Sequence, residues 1–138
     1  MFKHTVKYTD YNGVDHETEV YFNYSVPEML KLQNSIPGGF GSYLEKIAKE
    51  KDPMVVYKTF EDMIEDAYGE KSLDGQSFIK VDQDGRRLVE AFKQTPAWEA
   101  FICELLTNDQ LAADMVNKMI PAQMLAQMQN GGLASATA

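Results

Sequence analysis

The chain has 138 residues, of which 44% are hydrophobic, so it can build one core but is too short for two full domains. The net charge of −8 disfavours nucleic acid as a partner, because phosphates are bound mainly by Lys and Arg. No apolar run approaches the roughly 18 residues of a membrane span, so no membrane association is predicted. The single cysteine, Cys103, excludes an internal disulfide, and the cytoplasm is the expected compartment.

The first 24 residues predict a β-hairpin at 2–24, and alternating apolar and polar side chains set its register. A two-residue loop at Asn12 and Gly13 would pair Val6 with Glu19, which places an apolar side chain against a charged one. A three-residue loop ending in a left-handed Gly13 pairs Val6 with Thr18 instead. The same register sets these further pairs: His4 with Val20, Phe2 with Phe22 and Lys7 with Glu17.

Residues 26–120 predict about six short helices, whose starts are marked by capping residues. Gly69 is expected to close the third helix, and Pro121 is expected to break or kink the last one. Residues 70–80 are expected to be a polar loop with a few extended residues. The predicted class is therefore α+β, predominantly α-helical. The predicted N-caps are, in chain order, Ser25, Asp52, Thr95 and Thr107.

A single compact domain is predicted over residues 1–121, followed by a C-terminal arm over residues 122–138. This arm is rich in Met, Gln and Ala, and its low apolar content predicts flexibility. Met124 and Met128 lie four residues apart within it, and flexible thioethers suit a surface that adapts to a partner. Ordinary packing of a terminal helix is an equal alternative for this pair.

Four acidic residues on the third helix form the other candidate binding surface. They place like charges at positions i and i+4 twice, which is unfavourable for an isolated helix. A solvated polar face is the ordinary interpretation, and a docking surface for a basic partner is the functional one. The four residues are Glu61, Asp62, Glu65 and Asp66.

No pattern in the sequence predicts catalysis, a cofactor or a metal site. His4 and His16 share one face of the predicted hairpin with apolar and hydroxyl side chains, which favours histidines at the core edge over metal ligands. Cys103 is expected to be an inert, buried thiol. The glycine cluster at 38–41 lacks the spacing and the lysine of a phosphate-binding loop, and neither Asp-Gly pair fits a calcium-binding loop.

Several segments are similar, in their order and spacing, to one protein family. They are residues 7–13 with 22–23, residues 67–80, residues 91–98 and residues 120–121. In these segments the chain resembles the tail assembly chaperones of long-tailed bacteriophages, up to about residue 121. The segments are structural turns and helix caps rather than catalytic signatures, and the Met- and Gln-rich tail departs from the family pattern.

The resemblance implies a protein that acts during phage morphogenesis in the host bacterial cytoplasm and is absent from the mature virion. Such chaperones bind the long, mostly helical tape measure protein, keep it soluble and help to recruit tail tube subunits around it. Many of these families also make a longer, frameshifted form. Self-association stays open, as do two alternatives. One is a small tail component retained in the virion. The other is an enzyme or ligand-binding domain, which would need a concave pocket that joins Cys103 to a histidine or a carboxylate.

Overall fold

The computed structural model describes residues 1–122 and 124, which form a four-stranded antiparallel sheet and six helices. The sheet has the strand order β1-β2-β3-β4, so sequential strands are neighbours. The α+β class, with an N-terminal hairpin followed by six helices, is confirmed. The strands are β1 (Phe2–Thr9), β2 (Asp15–Phe22), β3 (Tyr68–Lys71) and β4 (Phe78–Ile79). The helices are α1 (Val26–Ser35), α2 (Gly39–Ala48), α3 (Pro53–Ala67), α4 (Leu88–Phe92), α5 (Pro96–Thr107) and α6 (Asp109–Met119).

The β1–β2 hairpin has the predicted register and the predicted loop. The Gly13 N–H donates to the Asp10 carbonyl at 3.0 Å, and the Asp10 N–H donates to the Val14 carbonyl at 2.8 Å. Gly13 has a φ of 81°, the left-handed conformation that the bulge requires and that glycine adopts without steric cost. The pairs are Val6 with Thr18, His4 with Val20, Phe2 with Phe22 and Lys7 with Glu17.

Three of the four predicted caps begin their helices as expected. The Glu28 N–H donates to Ser25 Oγ at 3.3 Å, and the Ser25 N–H donates to the Glu28 carboxylate at 2.8 Å, which forms a reciprocal capping box at α1. Asp52 and Thr95 cap α3 and α5, each ahead of a proline that starts the helix without losing a hydrogen bond.

The fourth predicted cap, Thr107, is wrong by one residue. The Leu111 N–H donates to Asn108 Oδ1 at 3.1 Å, so Asn108 caps α6. The Thr107 hydroxyl donates to the Cys103 carbonyl at 2.7 Å and is therefore used to close the last turn of α5. With α5 running to Thr107, the first residue available to cap α6 is Asn108.

Gly69 does not close α3 as predicted, because the chain passes directly into β3 and Gly69 lies opposite Tyr21 of β2. A Cβ at this position would lie 2.5 Å from the Phe78 ring, so the absence of a side chain allows β3 and β4 to pair closely. The expectation of a loop over residues 70–80 is thus only partly correct, since β3 and β4 add a second hairpin to the sheet.

The core lies between the sheet and the helices, with α5 against β1 and β2. The rings of Phe22 and Phe101 stack with centroids 5.1 Å apart. The end of α6 is held next to the segment that follows β2, because the Tyr24 N–H donates to the Met119 carbonyl at 2.9 Å. Aromatic stacking and burial at this interface stabilise the fold. Fully buried side chains include Phe22, Phe40, Phe101, Met29, Ile64, Leu105, Met115 and Met119.

Met124 was predicted to belong to the flexible arm, with ordinary packing as the equal alternative. The structure shows the packed alternative, since Met124 is only 3% exposed and lies in the core. Its N–H donates to the Pro121 carbonyl at 3.0 Å, so the chain makes a helical turn after the proline, and the Met124 side chain is buried there. Met128 and the other residues of the predicted arm from 125 onward lie outside the described residues. Among the described residues, no helix combines the length and apolar character needed to cross a bilayer.

Candidate functional site

The acidic face of α3, defined as Glu61, Asp62, Glu65 and Asp66, packs against residues 80–93. Lys93 Nζ lies 2.6 Å from Glu65 Oε1 and 3.0 Å from Glu61 Oε2. The Arg87 guanidinium lies 3.6 Å from the Asp66 carboxylate and donates to the Glu65 carbonyl. Two cations that are distant in sequence therefore meet this face within the same chain.

Two further lysines contact the acidic face, one through an ion pair and one through a backbone carbonyl. Lys58, one turn earlier on α3, lies 3.0 Å from Asp62. Lys80 donates to the Asp66 carbonyl at 2.7 Å and to the Glu28 carboxylate of α1 at 2.7 Å. Every carboxylate of the acidic face thus has an internal cation, and most of these cations come from residues 80–93. The face fastens that segment to α3.

The pKa values on this face reflect burial and pairing. Burial raises the pKa of Glu61, but hydrogen bonds from Lys93 and Tyr57 outweigh it and hold the pKa below its usual value. At Asp66 burial is the largest effect and raises the pKa above its usual value, while Arg87 opposes that rise and neighbouring carboxylates add to it. Pairing therefore stabilises the charge of Glu61 more completely than that of Asp66.

A different face of α3 borders an apolar groove of about 510 Å³ between α2, α3, α5 and α6. Leu44 and Ile47 of α2 and Val56 and Phe60 of α3 line this apolar groove, and all of them are half-buried. Leu106 of α5, at 43% exposure, lies at its edge. The four helices thus leave part of their apolar surface open to solvent.

The α6 wall of the apolar groove is a regular helical stripe. Asp109, Ala112, Ala113, Val116 and Asn117 line it at spacings of three and four residues. The two alanines leave space for another backbone to approach closely. At about 1.5 Å per residue the stripe is roughly 12 Å long. These dimensions suit two to three turns of an amphipathic helix, which can place its apolar face in such a groove.

The sequence does not reveal this groove, because its residues follow the same spacing as core residues. Leu44 and Ile47 are apolar positions of an amphipathic helix, and the sequence predicts them simply as buried. One local signal exists, because Leu105 and Leu106 are adjacent on α5. Two adjacent residues of a helix that packs on one side only cannot both face the protein core. Leu105 is 2% exposed and Leu106 is 43% exposed, so only the second is available to a partner.

The histidines and the cysteine take no part in either surface. His4 lies at the core edge, as predicted, with Nε2 3.0 Å from the Glu104 carboxylate. His16 is exposed on the projecting end of the hairpin and pairs with Asp10 at 2.6 Å, so its predicted core-edge position is wrong. Cys103 is exposed rather than buried. No group of three or more potential metal ligands occurs in the part of the chain that the structure describes.

Comparison with known proteins identifies the family. A family model described as phage tail assembly chaperone matches residues 1–136, which include every strand and helix described above. No curated protein and no solved structure matches the chain. The family match extends over nearly the whole sequence and agrees with the resemblance noted in its individual segments. The chain therefore belongs to the phage tail assembly chaperone family.

Proposed function

We propose that the protein binds the tape measure protein in the host cytoplasm during tail assembly and keeps it soluble while tail tube subunits are recruited. It acts as a binding protein rather than an enzyme and leaves before the virion is complete. Family membership supports this role. The structural observation that carries the proposal is the apolar groove between α2, α3, α5 and α6.

The apolar groove suits a helical client. A helix bound in a groove is held by apolar anchors at positions i, i+3, i+4 and i+7, and the α6 stripe from Asp109 to Asn117 offers a complementary surface of similar length. Contiguous apolar surface on a small protein commonly marks an interaction site. An aggregation-prone helix would hide its own apolar stripe in this groove and would thereby stay soluble.

Two exposed leucines provide a matched test of this site. Leu106 lies in the apolar groove and is 43% exposed, whereas Leu30 lies on α1 outside it and is 44% exposed. On co-expression with the tape measure protein, Leu106→Lys should sharply lower the amount of soluble client, and Leu30→Lys should not. Both variants should melt within about 2 °C of the parent chain, since both changes are at exposed positions.

Equal client solubility with Leu106→Lys and the parent chain would contradict the proposed site. An equal loss with both variants would show that any added positive charge disturbs the complex, which would also remove the groove from the explanation. Mass spectrometry of purified particles tests the proposed departure from the virion separately. We expect the chain in lysates that contain assembling tails and not in the particles.

A further inference from the structure

Charge at the apolar groove points to the chemistry of the helix that it binds. Among the described residues, the charged side chains that line the groove are those of Glu50 and Asp109, and both are carboxylates. Glu50 lies just after the end of α2, and Asp109 lies in the first turn of α6. The apolar surface is therefore bordered by negative charge beside the end of α2 and at the start of α6.

These two carboxylates differ from those of the acidic face. Each acidic-face carboxylate meets a lysine or an arginine of the chain, but neither Glu50 nor Asp109 forms an ion pair within the described residues. The Glu50 carboxylate accepts hydrogen bonds from the N–H groups of Lys51 and Asp52, at 3.1 Å each, which hold it in place. Their charges remain available to an incoming partner.

We propose that the apolar groove selects an amphipathic helix of two to three turns whose apolar stripe is flanked by lysine or arginine. The inference rests on the proposed function and specifies the client segment that the chaperone recognises. Large apolar side chains of that helix would fill the space above Ala112 and Ala113. Its basic residues would pair with Glu50 and Asp109, and the net charge of −8 would attract them from a distance.

The same two carboxylates should disfavour helices whose apolar stripe is flanked by acidic residues. An acidic residue beside the apolar stripe would be placed near Glu50 or Asp109, and like charges at an interface lower affinity for the wrong partner. In this proposal the apolar contacts supply most of the affinity. The two carboxylates select among helices of similar hydrophobicity.

Two synthetic helical peptides test this selection directly. They share one leucine stripe, and the stripe is flanked by lysines in the first peptide and by glutamates in the second. Fluorescence anisotropy of the labelled peptides, titrated with the full chain, should show at least about tenfold tighter binding of the lysine peptide at low salt. Leu106→Lys should strongly weaken that binding. Equal affinity for the two peptides would overturn the inference and leave the groove itself in place as a site.

A pair of isosteric substitutions assigns the preference to the named carboxylates. Glu50→Gln with Asp109→Asn should weaken binding of the lysine peptide about two- to tenfold, because exposed ion pairs contribute little each. Asp84→Asn with Glu90→Gln removes the same charge from exposed positions outside the groove and should leave binding unchanged. If both pairs of substitutions weaken peptide binding equally, the preference comes from the overall negative charge of the chain rather than from Glu50 and Asp109, and the inference is overturned. If neither peptide binds, the apolar groove is not a helix site and the proposed function loses its structural support.

Discussion

Helix α3 borders two surfaces that use charge in different ways. On the acidic face, all four carboxylates pair with lysines or an arginine of the same chain. Glu61, Glu65 and Asp66 thereby hold residues 80–93 against α3, whereas Asp62 pairs with Lys58 of the same helix. At the apolar groove, Glu50 and Asp109 form no ion pair with the residues that the structure describes, and they border half-buried apolar side chains. A cluster of charges in a sequence therefore does not by itself mark an interface. What matters is whether the fold supplies the opposite charges.

Of the substitutions that distinguish the two surfaces, one that fills the apolar groove should have the largest effect, and that effect should be on client binding. Ala113→Phe would place a ring in the space proposed for the client helix, so client solubility on co-expression should fall close to the level without chaperone. Phe is a slightly poorer helix former than Ala, so the free energy of unfolding should change by no more than about 1 kcal/mol. Ala91→Phe, at an exposed alanine of α4, is the matched control and should retain the client.

Breaking the acidic face should instead cost stability. Glu61 has a side chain only 16% exposed and accepts hydrogen bonds from Lys93 and Tyr57. Glu61→Ala should lower the free energy of unfolding by about 1–3 kcal/mol, because it removes charged hydrogen bonds and leaves Lys93 partly unpaired. Urea unfolding measures this change.

Asp62→Ala is the control for that prediction, because the Asp62 side chain is 51% exposed and its pair with Lys58 is open to solvent. Its effect should stay below about 0.5 kcal/mol. If the two alanine variants are equally stable, the acidic face is a solvated surface and the contrast with the apolar groove disappears. Client solubility should be retained by Asp62→Ala.

Acidification should change the free energy of unfolding by a smaller amount, and Glu61 and Asp66 should contribute to that change with opposite signs. The folded pKa of Glu61 lies below its usual value of 4.5, so its contribution to stability is present above that pH and is lost as pH falls through the folded pKa. The folded pKa of Asp66 is raised above its usual value of 3.8, so its charge opposes folding at neutral pH and protonation relieves that cost.

Unfolding measured between about pH 7 and pH 3 tests these signs. Compared with the parent chain, Glu61→Gln should lose less stability on acidification, and Asp66→Asn should lose more. Parallel pH profiles for all three proteins would show that neither carboxylate is coupled to folding. Raised salt should reduce the difference, since both groups are partly open to solvent.

The structural features that the sequence predicts best are those determined by residues close together in the chain. The hairpin register follows from alternation and from the single left-handed glycine at Gly13, and both partners of the α1 capping box, Ser25 and Glu28, lie within one turn. These elements need no information from the rest of the chain. Such local agreement also explains why the α+β class could be predicted correctly.

The errors arise where distant segments meet. Gly69 looks like a helix terminator beside α3, but its role is to allow the Phe78 ring to approach, and that contact depends on the pairing of β3 with β4. The charges of the acidic face could be read from the sequence, but their pairing with Lys93 and Arg87 could not. The sequence likewise places Met124 in a C-terminal tail, whereas in the structure it is buried in the turn that follows Pro121.

The apolar groove could not be predicted, because partial burial of a leucine or valine depends on how closely four helices pack. Hydrogen–deuterium exchange of the chain, alone and in complex with the tape measure protein, tests its role most directly. We expect slower exchange on binding over residues 44–50 and 109–117, which include lining residues of the apolar groove. We expect unchanged exchange over residues 80–93, which pack on the acidic face. Slower exchange over residues 80–93 with no change over residues 109–117 would contradict the assignment.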